Sequence, residues 1–469
     1  GDLLASLSPA ELLQRLGRCP VEALQRHPLA ILVLMRRMFT WQQIPKMMEL
    51  KALLEAAVAQ HPEWPAAERG NLLGECDLIQ SFLFYNDITQ MSRLHRSASR
   101  QMSRPAVTLR NSGSWTFGSP SVLMMYYRAP GELGKELAEM YECMPHYYKI
   151  TNGHGRGAEL LMDAEAAYLQ GAWEKAAVLL ERARADAAGQ ENMTLCCDFL
   201  ALRLALCGKG KEGYDFAAKR AALLQKHDGV QVHLLESIAA YFYALQGRPE
   251  QAPELFREHK LAEVSFFGPC RPMMSLIEQQ VWLAQGEYVK VIAHSEGLLR
   301  RCEAMHYGLV GLQACIQLAA AQLRFGQRAE ARAALAAALL DAVQDDFWVL
   351  FVEQYPALAP LLEGEDWAVC EPRLGPFVAR ILPAGRAFAA RLGLPAPAPE
   401  LPLTDRDREL ARLVAGRCTN KEIAAALYLS EGTVKQYINQ LYAKLDMGGD
   451  PRTRRARLAE WYQKNAPRN

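Results

Sequence analysis

The sequence contains no segment that could cross a membrane or direct export. Apolar runs such as LAILVLM, residues 29–35, are much shorter than the roughly 18 residues that span a bilayer. A basic start followed by an apolar core and a small-residue cleavage site is also missing. We therefore expect a cytoplasmic protein that does not have a membrane among its partners.

The patterns of enzymes and metal sites are missing too. The 11 cysteines are scattered without a C-x-x-C pair, and neither a G-x-S-x-G element nor a nucleotide-binding fingerprint occurs. His146 and His154 are separated by a predicted loop and have no obvious third ligand nearby. We therefore expect no enzyme activity, and we assign no catalytic residue, metal site or cofactor.

What the C-terminal part does contain is a pattern of short, capped helices. In SEGTVKQYINQLYAKL, residues 430–445, apolar residues recur at helical spacing, and Ser430 can cap the helix. In the preceding TNKEIA, Thr419 and Glu422 have the spacing of a capping box. Only YLS, residues 428–430, separates the two helices, which is typical of a helix-turn-helix whose second helix enters the DNA major groove.

A third helix precedes these two. Thr404 and Asp407 occupy the positions of another capping box, and Gly416 is placed to end the helix. Together the motifs LT-x-R-x-x-E-L, TNKEIA, LS-x-GTVK and a closing KL resemble the DNA-binding domain of LuxR-type transcription regulators. The resemblance covers residues 403–467. It departs from the family at Asp407, where the family usually has Glu, and at Tyr437, where His is common.

This resemblance implies double-stranded DNA as a partner and a homodimer on DNA. We expect Lys435, Gln436 and Asn439 to face the major groove. The residues expected to hold phosphates are Lys421, Thr433, Arg452, Arg454 and Arg455. The last helix, RRARLAEWYQKN, either supplies a dimer contact or packs on the preceding helices, and the sequence leaves both interpretations open.

The distribution of charge favours DNA binding at the C-terminal end. The whole chain has 53 Lys and Arg against 52 Asp and Glu, whereas residues 401–469 have 13 against 8. The excess of positive charge is therefore concentrated next to the predicted helix-turn-helix, where it would attract phosphates. Arginine-rich helix ends are also often simply solvated, so the charge alone does not decide the matter.

The middle of the chain repeats an apolar helix, a glycine and a second helix. The glycines are Gly171, Gly208, Gly247, Gly286 and Gly326. This register of just under 40 residues resembles the tetratricopeptide repeat, whose helix pairs stack into a superhelix with a concave groove. We therefore predict an all-α fold, in which a helical-repeat superhelix is followed by a small four-helix helix-turn-helix domain.

Two aromatic segments interrupt this regularity before the array begins. They contain Trp115, Phe117, Tyr126, Tyr127, His146, Tyr148, His154, Arg156 and Glu159. Aromatic walls with a few polar groups are typical of a small-molecule pocket, and we take these residues as candidate effector ligands. The alternative is that the segments are loops whose rings cover the core of the array.

The combination of helical repeats with a LuxR-type domain resembles the MalT-like regulators, whose repeats sense a small molecule. Their N-terminal ATPase module requires a G-x-x-x-x-G-K-[ST] loop, which this sequence does not contain. The resemblance therefore implies an effector-controlled transcription regulator without that module. The alternative is a repeat scaffold that recruits proteins and uses the C-terminal helices for docking.

The predicted organisation has four parts. An irregular helical region, 1–154, precedes the repeat array and capping helices, 155–392. A Pro-rich linker, 393–402, then leads to the DNA-binding domain, 403–469.

Overall fold

The all-α prediction is confirmed by the computed structural model. It describes residues 8–109, 113–210, 213–226, 229–394, 405–445, 447 and 451–465. Within these ranges the chain forms 25 α-helices joined by turns and short 3₁₀ segments, and no strand. Among the described helices, none is both long and apolar enough to cross a bilayer.

The first third of the chain consists of helices of unequal length. They are α1 Pro9–Arg18, α2 Val21–Gln25, α3 Pro28–Thr40, α4 Ile44–Gln60, α5 Ala66–Ser81, α6 Ile88–Gln101, α7 Val122–Tyr126 and α8 Leu133–Thr151. Buried side chains from Leu12 to Ile79 form a separate core beneath α1–α5. The larger core of the molecule begins at Leu78, so the two hydrophobic clusters meet at the end of α5.

Regular helix pairs follow. They are α9 Ala158–Leu169 with α10 Trp173–Asp186, α11 Glu191–Leu206 with α12 Phe216–Gln225, α13 Gly229–Leu245 with α14 Glu254–Arg257, α15 Arg271–Gln285 with α16 Tyr288–Met305, and α17 Gly308–Phe325 with α18 Arg328–Ala342. From α11 to α17, the first helices of successive pairs contact one another. These first helices are largely buried, whereas the second helices keep an exposed face. The predicted pairing is therefore present, with one unusually short second helix.

The five repeat glycines end the first helix of each pair. They are Gly171, Gly208, Gly247, Gly286 and Gly326, and their φ angles are 72°, 70°, 67°, 79° and 88°. A residue with a side chain is strained at these angles, so glycine is the residue that reverses the chain here. At Gly171 a Cβ would also lie 2.1 Å from Trp348 Cζ2, which adds a steric reason.

The array is closed by three further helices, α19 Val349–Glu353, α20 Tyr355–Leu362 and α21 Leu374–Arg391. Trp348, Phe351 and Trp367 of this segment are all buried. A salt bridge between Arg203 of α11 and Glu353 of α19 joins the array to this closing segment, and both side chains are at most 3% exposed.

The C-terminal helices are α22 Asp405–Ala415, α23 Asn420–Ala426, α24 Glu431–Lys444 and α25 Pro451–Asn465. Their apolar faces enclose a core of their own, which includes Leu410, Ile423, Val434, Ile438 and Leu458. This is the small four-helix domain that the sequence predicts. The four domain boundaries stay predictions, and most of the linker lies outside the described residues.

Candidate functional sites

The predicted capping signals fix the geometry of the helix-turn-helix. Thr419 Oγ1 accepts a hydrogen bond of 3.2 Å from the Glu422 amide, and Glu422 Oε2 accepts one of 2.6 Å from the Thr419 amide. The Thr419 amide and the Thr419 hydroxyl, which both donate to this carboxylate, hold the pKa of Glu422 below its ordinary value. Ser430 Oγ accepts a hydrogen bond of 3.1 Å from the Thr433 amide and begins α24. The capping predictions for α23 and α24 are confirmed.

The cap predicted for α22 stays a prediction, because Thr404 lies outside the described residues. The Asp407 carboxylate accepts a hydrogen bond of 2.6 Å from Lys444 Nζ at the end of α24. This buried pair joins the first and third helices of the domain, with exposures of 4% for Lys444 and 13% for Asp407. The helix ends at Ala415 as expected, but the residue with positive φ is Arg417, at 62°, not Gly416.

The turn between α23 and α24 exposes a large aromatic residue. Tyr428 has a φ of 55° and is 96% exposed, whereas Leu427 and Leu429 on either side pack against the domain core. The left-handed conformation of Tyr428 lets the chain reverse within a few residues. The two helices are thereby held at a fixed angle.

One face of α24 is polar and accessible. Lys435, Gln436 and Asn439 are exposed on the side away from the core residues Val434 and Ile438. A helix of 14 residues that follows a capped partner and presents such a face can enter a DNA major groove. These side chains can donate hydrogen bonds to base edges, and Gln and Asn can also accept them.

The residues predicted to hold phosphates differ in their exposure to solvent. Lys421 is exposed at the start of α23, and Thr433 is partly exposed at the start of α24. Arg455 turns inward, where its Nη1 donates to Asn420 Oδ1 at 2.9 Å and its Nη2 donates to the Cys418 carbonyl. Arg455 therefore stabilises the N-terminal end of α23. Arg454 is partly buried, and the Arg452 side chain lies outside the described residues.

The last helix packs inward at its centre. Leu458 is fully buried, and Trp461 and Tyr462 pack partly buried against the same core. For Leu458 the structure therefore favours ordinary packing over the alternative of a dimer contact.

A second face of α24 contacts the helical array, which the sequence did not indicate. The Tyr437 ring lies edge-on to Phe325 with centroids 6.3 Å apart, and Arg406 stacks on Tyr437 at 5.2 Å. Lys444 lies against Gly326, where a Cβ would come within 2.9 Å of its side chain. The turn that ends α17 is therefore a point of contact between the array and the C-terminal domain.

The candidate effector residues do not converge on one open space. Trp115, Phe117 and Tyr126 line a void of about 20 Å³, together with Tyr147. Tyr127 points elsewhere and donates a hydrogen bond of 2.7 Å to Asp345. The void has room for about one water molecule. The side chains of the two aromatic segments thus fill most of the space between these segments.

The polar members of the set are held by their neighbours. Tyr148 donates a hydrogen bond to Glu159, and His146 Nδ1 lies 3.4 Å from Ser99 Oγ. His154 Nδ1 is 2.8 Å from the hydroxyl of Tyr147. Burial lowers the pKa of His154 to about 4, so its ring is neutral at pH 7. Arg156 is exposed at the surface.

The comparisons with known proteins concern the C-terminal domain. The profile of the family described as bacterial regulatory proteins, luxR family, matches residues 401–453. The C-terminal domain is a LuxR-type DNA-binding domain. No solved structure matches the chain significantly.

Curated relatives agree with this assignment. The chain is 41% identical over 75 residues to the uncharacterized transcriptional regulatory protein YvfU of Bacillus subtilis, covering 16% of this chain and 36% of that protein. It is 42% identical over 65 residues to the DNA-binding transcriptional activator DevR/DosR of Mycobacterium tuberculosis, covering 14% and 29%. With the transcriptional regulatory protein DesR of Bacillus subtilis it shares 46% over 46 residues, 10% and 23% of the two chains. The chain thus covers about a third or less of these relatives.

Proposed function

We propose that this protein is a cytoplasmic DNA-binding transcription regulator whose helical array senses a small-molecule effector and controls the LuxR-type domain. The observation that carries the DNA-binding part is the capped α23–turn–α24 unit with its accessible face of Lys435, Gln436 and Asn439. These side chains would read base edges. Lys421 and Thr433, with Arg452 and Arg454 of α25, would hold the flanking phosphates, whereas Arg455 supports the start of α23.

Control by the array is supported by the contact between the two parts. The contact between Phe325 and Tyr437 positions α24 through the face beside its base-reading side chains. A ligand that binds one arrangement of the array more tightly than another would shift how the domain is held. The MalT-like arrangement and the aromatic effector segments belong to this proposal. Binding among the aromatic rings would require them to move apart, since the void between them is about 20 Å³.

DNA binding is tested with the full chain and a library of 30-bp duplexes with randomised centres. The wild-type protein is expected to enrich particular sequences. Lys435→Ala with Asn439→Ala should abolish the enrichment and leave a residual affinity that falls as salt rises. Arg300→Ala is the matched control, because it also removes one positive charge but lies exposed on the array. Enrichment that survives the double substitution would contradict the assigned reading face.

The same selection tests the proposed homodimer. A LuxR-type domain that binds as a pair should enrich two half-sites roughly 10 bp apart, because that spacing places both domains on one side of the duplex. A single half-site bound at full affinity would contradict a dimer. If the array instead recruits proteins and the C-terminal domain docks to them, no duplex would be enriched at all.

A further inference from the structure

A cavity on the inner side of the array has room for a small molecule. It measures about 270 Å³ and lies among the first helices of the last three pairs, α13, α15 and α17, and the closing helix α20. This is slightly below the roughly 300–1,000 Å³ of common ligand pockets. Its walls are largely aliphatic and include Leu245, Leu283, Ala284 and Leu394.

Glutamines form the polar end of this cavity. Gln280 Oε1 accepts hydrogen bonds of 3.0 Å from Gln317 Nε2 and 2.6 Å from Gln354 Nε2. Glu353 and Gln354 also line a second, separate void of about 10 Å³, together with Gln313 and Gln317. All four glutamines are at most 8% exposed. Such a cluster of amides is unusual in the apolar interior of helix pairs, where Leu and Ala normally pack.

Two side-chain atoms of residues that line this second void lack a hydrogen-bond partner within the described residues. They are Gln313 Nε2, which can donate, and Gln317 Oε1, which can accept. The two side chains are 5% and 2% exposed, so water at the surface does not reach them. Buried polar groups are nearly always paired, and an unpaired donor beside an unpaired acceptor matches one group that can both accept and donate.

The charges nearby favour a neutral ligand. Glu353 is the carboxylate at the polar end, and Arg203 already neutralises it through bonds of 2.8 and 3.1 Å. The hydroxyls of Tyr168 and Tyr241 also donate to it, at 2.6 and 3.0 Å. Arg324, the other charged residue of the lining, lies at the mouth and donates to the Pro356 carbonyl. At the polar end a further buried charge would therefore have no counter-ion among the described residues of the lining and would be disfavoured.

We propose that this glutamine-lined cavity, in place of the aromatic segments, binds the effector, a small neutral molecule with an amide or hydroxyl head and a short aliphatic body. The body lies against Leu245, Leu283 and Ala284. The head enters between Glu353 and Gln354, widens the second void and exchanges hydrogen bonds with Gln313 and Gln317. That the bound molecule is an effector rests on the proposed function, whereas its binding can be measured without DNA.

The walls of the cavity lead directly to the C-terminal domain. Arg324, at the mouth, donates a hydrogen bond of 2.9 Å to the Pro356 carbonyl. The next residue along the chain is Phe325, which contacts Tyr437 of α24. Leu394 lies at the start of the predicted linker and is its last described residue. It packs on Gly247 so closely that a Cβ there would lie 2.8 Å from it. A molecule in the cavity therefore contacts Arg324, the neighbour of Phe325, and Leu394 at the start of the linker.

The test uses three six-carbon probes and the full chain. Hexanamide, hexanoate and hexylammonium share an aliphatic body and differ in the charge of the head, and binding is followed by saturation-transfer NMR and thermal shift. Hexanamide is expected to bind at least tenfold more tightly than either charged probe. Equal affinity for all three, or no binding of hexanamide up to its solubility limit, would overturn the proposal.

Variants locate the site. Gln313→Leu with Gln317→Leu should weaken hexanamide binding at least tenfold and remove the preference for the neutral head, and Ala284→Phe should block the cavity. Gln225→Leu, which makes the same change at an exposed glutamine of α12, is the control and should leave binding unchanged. Phe117→Leu probes the aromatic segment. Circular dichroism reports whether each variant is folded. If Ala284→Phe misfolds, the variant with Gln313→Leu and Gln317→Leu decides the test. Binding that survives the leucines but is lost in Phe117→Leu would place the site among the aromatic rings.

The outcomes separate this inference from the proposed function. Sequence-selective DNA binding without any hexanamide binding would leave the regulator intact and remove the cavity as its effector site. Hexanamide binding by a chain that selects no duplex would keep the cavity as a ligand site and remove the regulator. If both hold, saturating hexanamide is expected to change the affinity for the selected duplex at least twofold, and this change should disappear in the leucine variant.

Discussion

The helical array and the LuxR-type domain are stabilised in different ways. The array buries a continuous core that runs from Leu78 to Ala389, and it contains ionised and amide side chains in its interior. The domain has a core of about a dozen residues and depends on caps at its helix ends. A large core can tolerate buried polar groups because its apolar surface offsets their desolvation. The domain is small and locally specified, so its stability depends more on each helix end.

The largest expected effect is on the buried ion pair of the array. Arg203→Met leaves the Glu353 carboxylate buried without its counter-ion, and we expect a loss of about 3–5 kcal/mol in the free energy of unfolding. Arg203 also lies 4.7 Å from the Tyr168 ring, so its removal disturbs the contacts among α9, α11 and α19. Urea denaturation followed by tryptophan fluorescence measures the change.

The control for this prediction is Arg300→Met, which removes an exposed arginine from the same array. It should change stability by no more than about 0.5 kcal/mol. Adding Glu353→Gln to Arg203→Met should restore part of the loss. A single variant as stable as the wild type would mean that the pair does not hold the closing segment to the array.

The ion pair also shows why sequence reasoning reached only part of the structure. The repeat glycines and the caps were predictable because each has a local signal of a few residues. Arg203 and Glu353 are separated by 150 positions, and no local pattern links them. The same holds for the glutamines around Gln317 and for the contact of Phe325 with Tyr437, which arise from packing between distant helices. The candidate DNA-reading face could be predicted because its residues lie on one helix. The cavity is formed by distant helices, so only the folded structure shows it.

Acidity should affect the two regions in opposite directions. Glu165 is completely buried in α9, and burial raises its pKa from 4.5 to about 7. Between these values the folded array holds a proton that the unfolded chain releases, so the contribution of Glu165 to stability decreases as the pH rises from 4.5 to 7. At pH 8 Glu165→Gln should therefore stabilise the array, by at most about 3 kcal/mol. Thermal unfolding at pH 5 and pH 8 measures the difference, which should nearly vanish at pH 5.

The domain should respond the other way. The pKa of Glu422 is held below its ordinary value by the amide and hydroxyl of Thr419. The capping box is therefore present above the ordinary pKa of a glutamate and is lost as the pH falls through the lowered value.

The control for Glu165→Gln is Glu181→Gln, at an exposed glutamate of the array. If Glu165→Gln were destabilising at pH 8, the carboxylate would be making favourable contacts in its charged form.

The caps of the domain should give an effect of intermediate size. Thr419→Ala removes the acceptor of the Glu422 amide and should cost about 1 kcal/mol in domain stability, whereas Thr419→Gly should cost only a few tenths. Hydrogen exchange of the α23 amides in the full chain measures both. Exchange in the array serves as the internal reference and should be unchanged. Equal effects of alanine and glycine would argue that Thr419 acts through packing and not as a cap.

The smallest expected effect is on the contact between the two regions. Tyr437→Ala removes the edge-on ring contact with Phe325 and the surface on which Arg406 stacks. An aromatic pair contributes about 0.5–1.5 kcal/mol, so the domain should undock in a larger fraction of molecules while remaining folded. Fluorescence energy transfer between dyes on the array and on α25 should decrease, and proteolysis in the Pro-rich linker should become faster. Tyr437→Phe keeps the ring and should keep both signals near wild type. If the alanine variant matched the wild type in both, the domain would be held mainly through Lys444 and the turn at Gly326, whose close approach would then be the contact through which the array controls α24.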